Sequence, residues 1–141
     1  LVAKELGEPL HIAGFVEDQF YFDKLQQEFG AYFAYQGYLS QTELGQFLAS
    51  GRAFLHTQQW EEAFGMTTLE ALACGTPVAA YPVVGPKDVI EQGVNGYMDK
   101  DLTVAIKQCT KLSRSKVYES SLKWSWENAY RQFKSVLLPA K

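Results

Sequence analysis

A chain of 141 residues amounts to about one domain, and its 47% apolar and 21% charged content is that of an ordinary globular protein. A formal net charge of −3 gives no basic surface for nucleic acid. No apolar run approaches the ~20 residues that cross a bilayer, and the first seven residues, which include Lys4 and Glu5, do not read as a signal segment.

Leu1, Val2 and Leu6 followed by Gly7 read as the last turns of a helix with a glycine cap, so the chain opens inside an element. Pro9 to Phe15 is a short apolar strand. Glu17 to Phe29 carries Phe22, Leu25 and Phe29 at helical spacing, with Gly30 behind them. Tyr32 to Tyr38 is strand-like, and Ser40 offers an N-cap for a helix through Leu48. Ala53 to Thr57 is a third strand, Thr67 to Cys74 a helix stopped by Gly75, and Pro77 to Tyr81 a fourth strand. A short helix at Lys87 to Glu91 leads through the turn residues Asn95 and Gly96 to a brief strand at Tyr97 and Met98. Helices follow over Leu102 to Leu112, Lys116 to Leu122 and Ser125 to Leu137. Cys74 falls at a helix end and Cys109 on a helix face. Two buried thiols in a reducing compartment are expected there, not a disulfide, and the cytoplasm is the default location.

Strands alternating with helices across short loops predict an α/β fold: a parallel sheet with helices on both faces. The strand segments are near-continuous apolar runs, which fits burial on both sides. No repeat, low-complexity tract or linker divides the chain, so residues 1–141 are expected to form a single domain. In such sheets ligands bind beyond the carboxyl ends of the strands. Three loops qualify: Gly14 to Asp18, Gly37 to Gln41, and Gln58 to Met66.

The third loop carries the chemistry. Residues 61–78 read EEAFGMTTLEALACGTPV, in which Glu62 and Glu70 enclose seven residues. A bare E-x7-E says little. Here it follows a strand, contains Phe64 and Gly65, and runs into LEALACGTPV. LHIAG at 10–14, QGYLS at 36–40 and NGYM at 95–98 accompany it in order. The whole constellation resembles the C-terminal donor-binding domain of retaining GT-B glycosyltransferases, particularly glycosyltransferase family 4 (group 1).

Elementary chemistry explains why such residues suit a sugar nucleotide. Main-chain N–H groups at a helix N-terminus suit a diphosphate, and Gly65 lets backbone approach closely. Carboxylates beside the diphosphate would be repelled, so they belong further out, accepting hydrogen bonds from the hydroxyls of ribose and sugar. The resemblance implies that Glu62 lies by the transferred sugar as the catalytic residue and that Glu70 holds the ribose. It also implies main-chain contacts from Phe64 and Gly65 to the sugar and from Met66 and Thr67 to the phosphates. Nucleobase contacts fall near Gly37 and Tyr38, with Gly14 among the donor-binding residues. No metal and no cofactor are implied; the nucleoside diphosphate sugar is a substrate.

Each residue also has a plainer reading. Thr67-x-x-Glu70 is a capping box, in which Glu70 would satisfy an N-terminal amide. Glu61 is taken as surface and Glu62 as functional. Phe64 can be core packing as well as a site wall. His56 ends a strand near the site, where a core or supporting histidine fits better than a general base. Trp60 lines the cleft or packs under the loop. Two departures from the family stand out. Where the family often has Gly-Gly-x-x-Glu, this chain has Val84-Gly85-Pro86-Lys87-Asp88, which leaves sugar contacts there in doubt. The Arg and Lys that hold the diphosphate lie in the family on the first strand and the loop after it, upstream of Leu1, and Arg52 and Lys87 replace them poorly.

In the final helix Trp126, Ala129, Tyr130, Phe133 and Val136 or Leu137 form one apolar stripe, with Arg131 and Lys134 facing away. It packs on its own domain or, as the resemblance implies, crosses towards an acceptor domain. A membrane-surface helix fits less well, because its polar face is not strongly basic. A parent protein associated peripherally with a membrane remains compatible with the resemblance.

The expectation is therefore a Rossmann-like C-terminal half of a GT-B fold, without its first βα unit and the N-terminal acceptor-binding domain. Because the first strand of a doubly wound sheet is central, Pro9 to Phe15 and Ala53 to Thr57 would be its two neighbours. The parent would be a hexosyltransferase-type enzyme, and these residues alone would bind donor weakly and transfer no sugar. Two other readings stay open: a non-catalytic Rossmann-like nucleotide-binding module, and a fragment of a GT-B epimerase acting on a sugar nucleotide.

Overall fold

The computed structural model describes residues 2–60 and 62–137, and the chain divides into two compact units, residues 1–47 and 48–141. In the first unit, α1 (Val2–Leu6) ends as the sequence predicts, with the N–H of Gly7 donating to Lys4 and that of Glu8 to Ala3. Strand β1 (Leu10–Ile12) leads to α2 (Gln19–Phe29), capped by the Asp18 carboxylate, which accepts from the Tyr21 N–H at 2.9 Å. A 3₁₀ turn (Gly30–Tyr32) precedes β2 (Phe33–Tyr35), which runs parallel to β1 with Leu10 opposite Phe33. Phe22 of α2 meets the rings of Phe33 and Tyr35 edge-on at 5.3 and 4.9 Å, so the predicted apolar face of the helix covers the strand.

Helix α3 (Gln41–Ser50) spans the division between the units. Ser40 starts it, as expected, and the sequence reading missed its partner. The Glu43 carboxylate accepts from the Ser40 N–H and hydroxyl at 2.8 and 2.6 Å, a reciprocal cap. The Ser40 hydroxyl and amide hold the Glu43 carboxyl below its usual range.

The second unit contains β3 (Phe54–His56), α4 (Met66–Ala73), β4 (Val78–Ala80), α5 (Pro86–Val89) and β5 (Gly96–Met98). It ends with α6 (Leu102–Cys109), α7 (Arg114–Ser121), a 3₁₀ turn (Leu122–Trp124) and α8 (Trp126–Val136). Its sheet has the order β3-β4-β5, all parallel, with Phe54 opposite Val78 and Val78 opposite Gly96. β4 is buried at every position, as its apolar run predicts. The β1–β2 pair is only half-buried, and His11 of β1 is exposed. Small side chains (Ala79, Ala105, Cys109) let α6 settle closely on the sheet.

Asn95 lies in the turn before β5, as expected, and is fully buried there: it accepts from the Glu91 N–H at 2.8 Å and donates to the Val89 carbonyl and the Ser120 hydroxyl. Buried, an amide side chain has to find such partners. In α8, Trp126, Tyr130, Phe133, Val136 and Leu137 are all exposed, so the stripe is not packed within its own unit. Both cysteines are free thiols, Cys109 buried and Cys74 half-buried. Among the described residues no helix is long and apolar enough to cross a membrane.

Candidate functional site

In the first unit the residues after β1 and β2 are tied together. Gly14 donates its N–H to the Gly37 carbonyl at 2.9 Å, and the Tyr35 hydroxyl donates to the Gly14 carbonyl at 2.6 Å. Tyr38 stacks on Phe15 with ring centroids 4.6 Å apart, and both rings remain largely exposed. A cleft of about 380 Å³ opens beside them, lined by Ile12, Gly14, Phe15, Asp18, Phe22 and Tyr35. Gly14, Gly37 and Tyr38 thus lie together at the carboxyl ends of this strand pair.

In the second unit β3 ends at His56 and the chain returns through residues 57–65 to α4. Gly65 occupies the N-cap place with φ +82, a left-handed conformation that only glycine adopts freely. A methyl group there would stand 3.4 Å from Thr68 Oγ1 and 3.6 Å from both Glu62 Oε2 and His56 Nε2. Three polar groups therefore surround one bare α-carbon. His56 is fully buried, and its Nε2 lies 2.8 Å from Glu62 Oε2. The Glu62 side chain keeps 33% of its surface exposed, enough to offer the carboxylate to a ligand.

The capping-box reading of Thr67 and Glu70 is not what forms. The helix begins at Met66, one residue before Thr67, and no side chain caps it. Glu70 is exposed and, among the described residues, forms no hydrogen bond to the Thr67 amide. Instead the N–H groups of Thr68 and Leu69 return to the Gly65 carbonyl at 3.0 and 3.4 Å. The amides of Met66 and Thr67 belong to the first turn, where a helix supplies no acceptor of its own. Both residues are exposed.

The surrounding residues are held by packing. Phe64 meets Trp124 edge-on at 5.3 Å, so it packs within the unit as anticipated. Trp60 is 68% exposed and does not pack under the loop. The expectation for Glu61 lies outside the described residues. Gly85, with φ +95, has its α-carbon against the main chain of Glu62, a contact the sequence reading did not foresee. Its only hint was a glycine in a loop after a strand. Lys87 and Asp88 are exposed on α5, and Arg52 is exposed ahead of β3, at the strand's opposite end from Glu62. Among the described residues no three His, Cys, Asp or Glu side chains are grouped as metal ligands.

The profile of the family described as glycosyl transferases group 1 matches residues 7–114. The chain belongs to this family. This group 1 domain is 42% identical over 55 residues to the sucrose synthase of Acidithiobacillus caldus, covering 39% of the chain and 7% of that protein. It is 50% identical over 36 residues to sucrose synthase 2 of Hordeum vulgare, covering 26% and 4%. Among solved structures it resembles a glycosyltransferase involved in avilamycin A biosynthesis, with TM-score 0.80 and 21% identity, covering 94% of this chain and 43% of that one. It also resembles the Anabaena protein HepE in complex with UDP-glucose, with TM-score 0.73 and 21% identity, covering 97% and 44%. The group 1 domain thus has the α/β Rossmann-like fold of GT-B glycosyltransferases. It spans less than half of those solved chains and under a tenth of the synthases.

Proposed function

We propose that this chain is the donor-binding part of a retaining family 4 glycosyltransferase that transfers a sugar from a nucleoside diphosphate sugar to an acceptor. The acceptor domain and the Arg and Lys for the diphosphate would be supplied by sequence outside these residues. The observation that carries the reading is the uncapped start of α4 beside Glu62. Its first-turn residues Met66 and Thr67 are exposed, Gly65 carries no side chain, and the Glu62 carboxylate, one-third exposed, stands within a few ångströms. In this reading the amides of Met66 and Thr67 receive the diphosphate, and the main chain of Phe64 and Gly65 faces the sugar. Glu70 accepts from the ribose hydroxyls, while Gly14, Gly37 and Tyr38 serve the nucleobase. Glu62 orients the sugar and supports charge developing at its ring, and the helix amides stabilise the leaving diphosphate. That HepE was crystallised with UDP-glucose makes uridine the first base to try.

Calorimetric titration with UDP, GDP and ADP tests this. Glu70→Gln should weaken the best-bound nucleotide about ten-fold, the scale of one charge-assisted hydrogen bond. Glu62→Gln should leave nucleotide affinity unchanged and remove the added affinity of the sugar nucleotide. A nucleotide affinity indifferent to Glu70→Gln would overturn the ribose role.

A further inference from the structure

The pairing of His56 with Glu62 constrains which ring nitrogen carries the shared proton. An ionised carboxylate only accepts, so the proton in the 2.8 Å contact is carried by His56 Nε2. The other ring nitrogen, Nδ1, is buried and has no hydrogen-bond partner. A proton on Nδ1 would be a buried donor with no acceptor, which the Nε2–H tautomer avoids. The geometry suits a His56 whose Nε2–H points at Glu62 and whose Nδ1 is left without a partner. His56 cannot serve as a general base, because the nitrogen with a free lone pair is sealed from any substrate.

What remains for it is to hold the carboxylate. Glu62 is fixed at both ends: its main-chain carbonyl lies against the α-carbon of Gly85, and its Oε2 is anchored to the last residue of β3. A glutamate on a loop otherwise loses rotamer freedom when it meets a ligand, and prior fixing removes that cost. A carboxylate has about four acceptor positions, so one bond to His56 leaves the others for hydroxyls. Gly65 places no side chain against either partner, where a first carbon would lie 3.6 Å from both.

We infer that His56 is a positioning residue, which pre-sets the Glu62 carboxylate for the hydroxyls of the donor sugar. The inference rests on Glu62 being the sugar ligand of the proposed function, so its test has two independent arms. The first needs no ligand. The chain has only two histidines, His11 and His56, and His56→Gln assigns the imidazole ¹⁵N–¹H signals by removing one set. His56 should be the Nε2–H tautomer, with a proton whose solvent exchange becomes at least about ten-fold faster in Glu62→Ala. An Nδ1–H tautomer, or exchange indifferent to Glu62→Ala, overturns the inference.

The second arm compares UDP-glucose with UDP by calorimetry. His56→Leu should lower UDP-glucose affinity about ten-fold and leave UDP unchanged. His56→Gln, whose amide can still donate, should stay within about three-fold of the parent chain for both. Equal losses for both ligands, or for both variants, mark a structural role and overturn the inference. These titrations use the full-length enzyme, which supplies the Arg and Lys of the proposed function; if it binds neither ligand, the donor reading fails, and the imidazole spectrum alone decides whether the His56–Glu62 bond exists.

Discussion

A carbon atom added to Gly85 would stand 2.7 Å from the carbonyl oxygen of Glu62, inside the distance real Cβ atoms keep from backbone. The loop after β4 thus supports the main chain of the residue proposed to face the sugar. Gly85→Ala should be destabilising twice over, through the φ of +95 and through the displaced carbonyl. About 1–3 kcal/mol is expected from such strain and overpacking. Gly45→Ala makes the opposite prediction: a Cβ there meets nothing within 4 Å inside α3, so about 0.5–1 kcal/mol of stabilisation is expected. Urea unfolding of both variants checks the pair. A neutral Gly85→Ala would show that the two loops are not in contact in solution.

Arg114 joins two helix ends across the second unit. Its guanidinium donates to the carbonyls of Ala49 and Gly51 at the end of α3, at 2.6 and 2.7 Å, and to the Thr76 hydroxyl at 2.9 Å. A longer contact of 3.4 Å reaches the Cys74 carbonyl at the end of α4. These carbonyls have no acceptor role left inside their helices, and a cation there complements the helix dipoles. Arg114→Lys should lose most of what Arg114→Ala loses, about 1–2 kcal/mol, because an ammonium cannot span a fork of acceptors. Full recovery by lysine in denaturant unfolding would reduce the interaction to simple charge.

The sequence reading succeeded where the signal was local. Phe22, Leu25 and Phe29 mark the half-buried face of α2 by spacing alone, and the apolar run through Val78 to Ala80 marks a strand covered on both sides. It overextended β1 and β2, because Ala13, Phe15 and Tyr38 are as apolar or aromatic as strand residues, yet the backbone turns to positive φ at Gly14 and Gly37. It placed Asn95 in a turn correctly but not its burial, because only the folded chain supplies partners for the amide. It could not find Arg114, whose carbonyl partners Ala49 and Gly51 lie 65 and 63 residues away. His56 and Glu62 are six residues apart, near enough to suspect, but their bond depends on how the intervening loop returns.

Thr67 and Glu70 separate a structural from a ligand role without any ligand. Since no capping box forms between these exposed residues, Thr67→Ala and Glu70→Gln should each change stability by no more than about 0.5 kcal/mol. A formed box would lose about 1 kcal/mol on either change. Thermal unfolding of both variants makes the measurement. A loss of that size at both positions would show that Glu70 turns back onto the helix in solution, and its ribose role would fail there.

Cys109 gives the fold a pH dependence of known sign. Burial pushes its thiol up to about 11, against a smaller opposing effect of the Tyr97 backbone N–H, from an ordinary value of about 8.5. The thiol donates to the Val78 carbonyl at 3.2 Å, a bond that the thiolate cannot make. Above pH ~8.5 the unfolded chain releases this proton while the folded chain keeps it, so the folded state binds more protons and stability falls as pH rises. The contribution is fully present below pH ~8.5 and is lost as pH climbs towards 11. Tyrosines and lysines titrate in the same range, so the measurement is a difference. Unfolding free energies of the parent chain and Cys109→Ala should be compared between pH 8 and 10.5, within about the window set by the two values. The parent's advantage should shrink steadily across that window. A difference that stays constant with pH would mean that the Cys109 thiol ionises in the folded chain as readily as in the unfolded one, and that the core around α6 admits water.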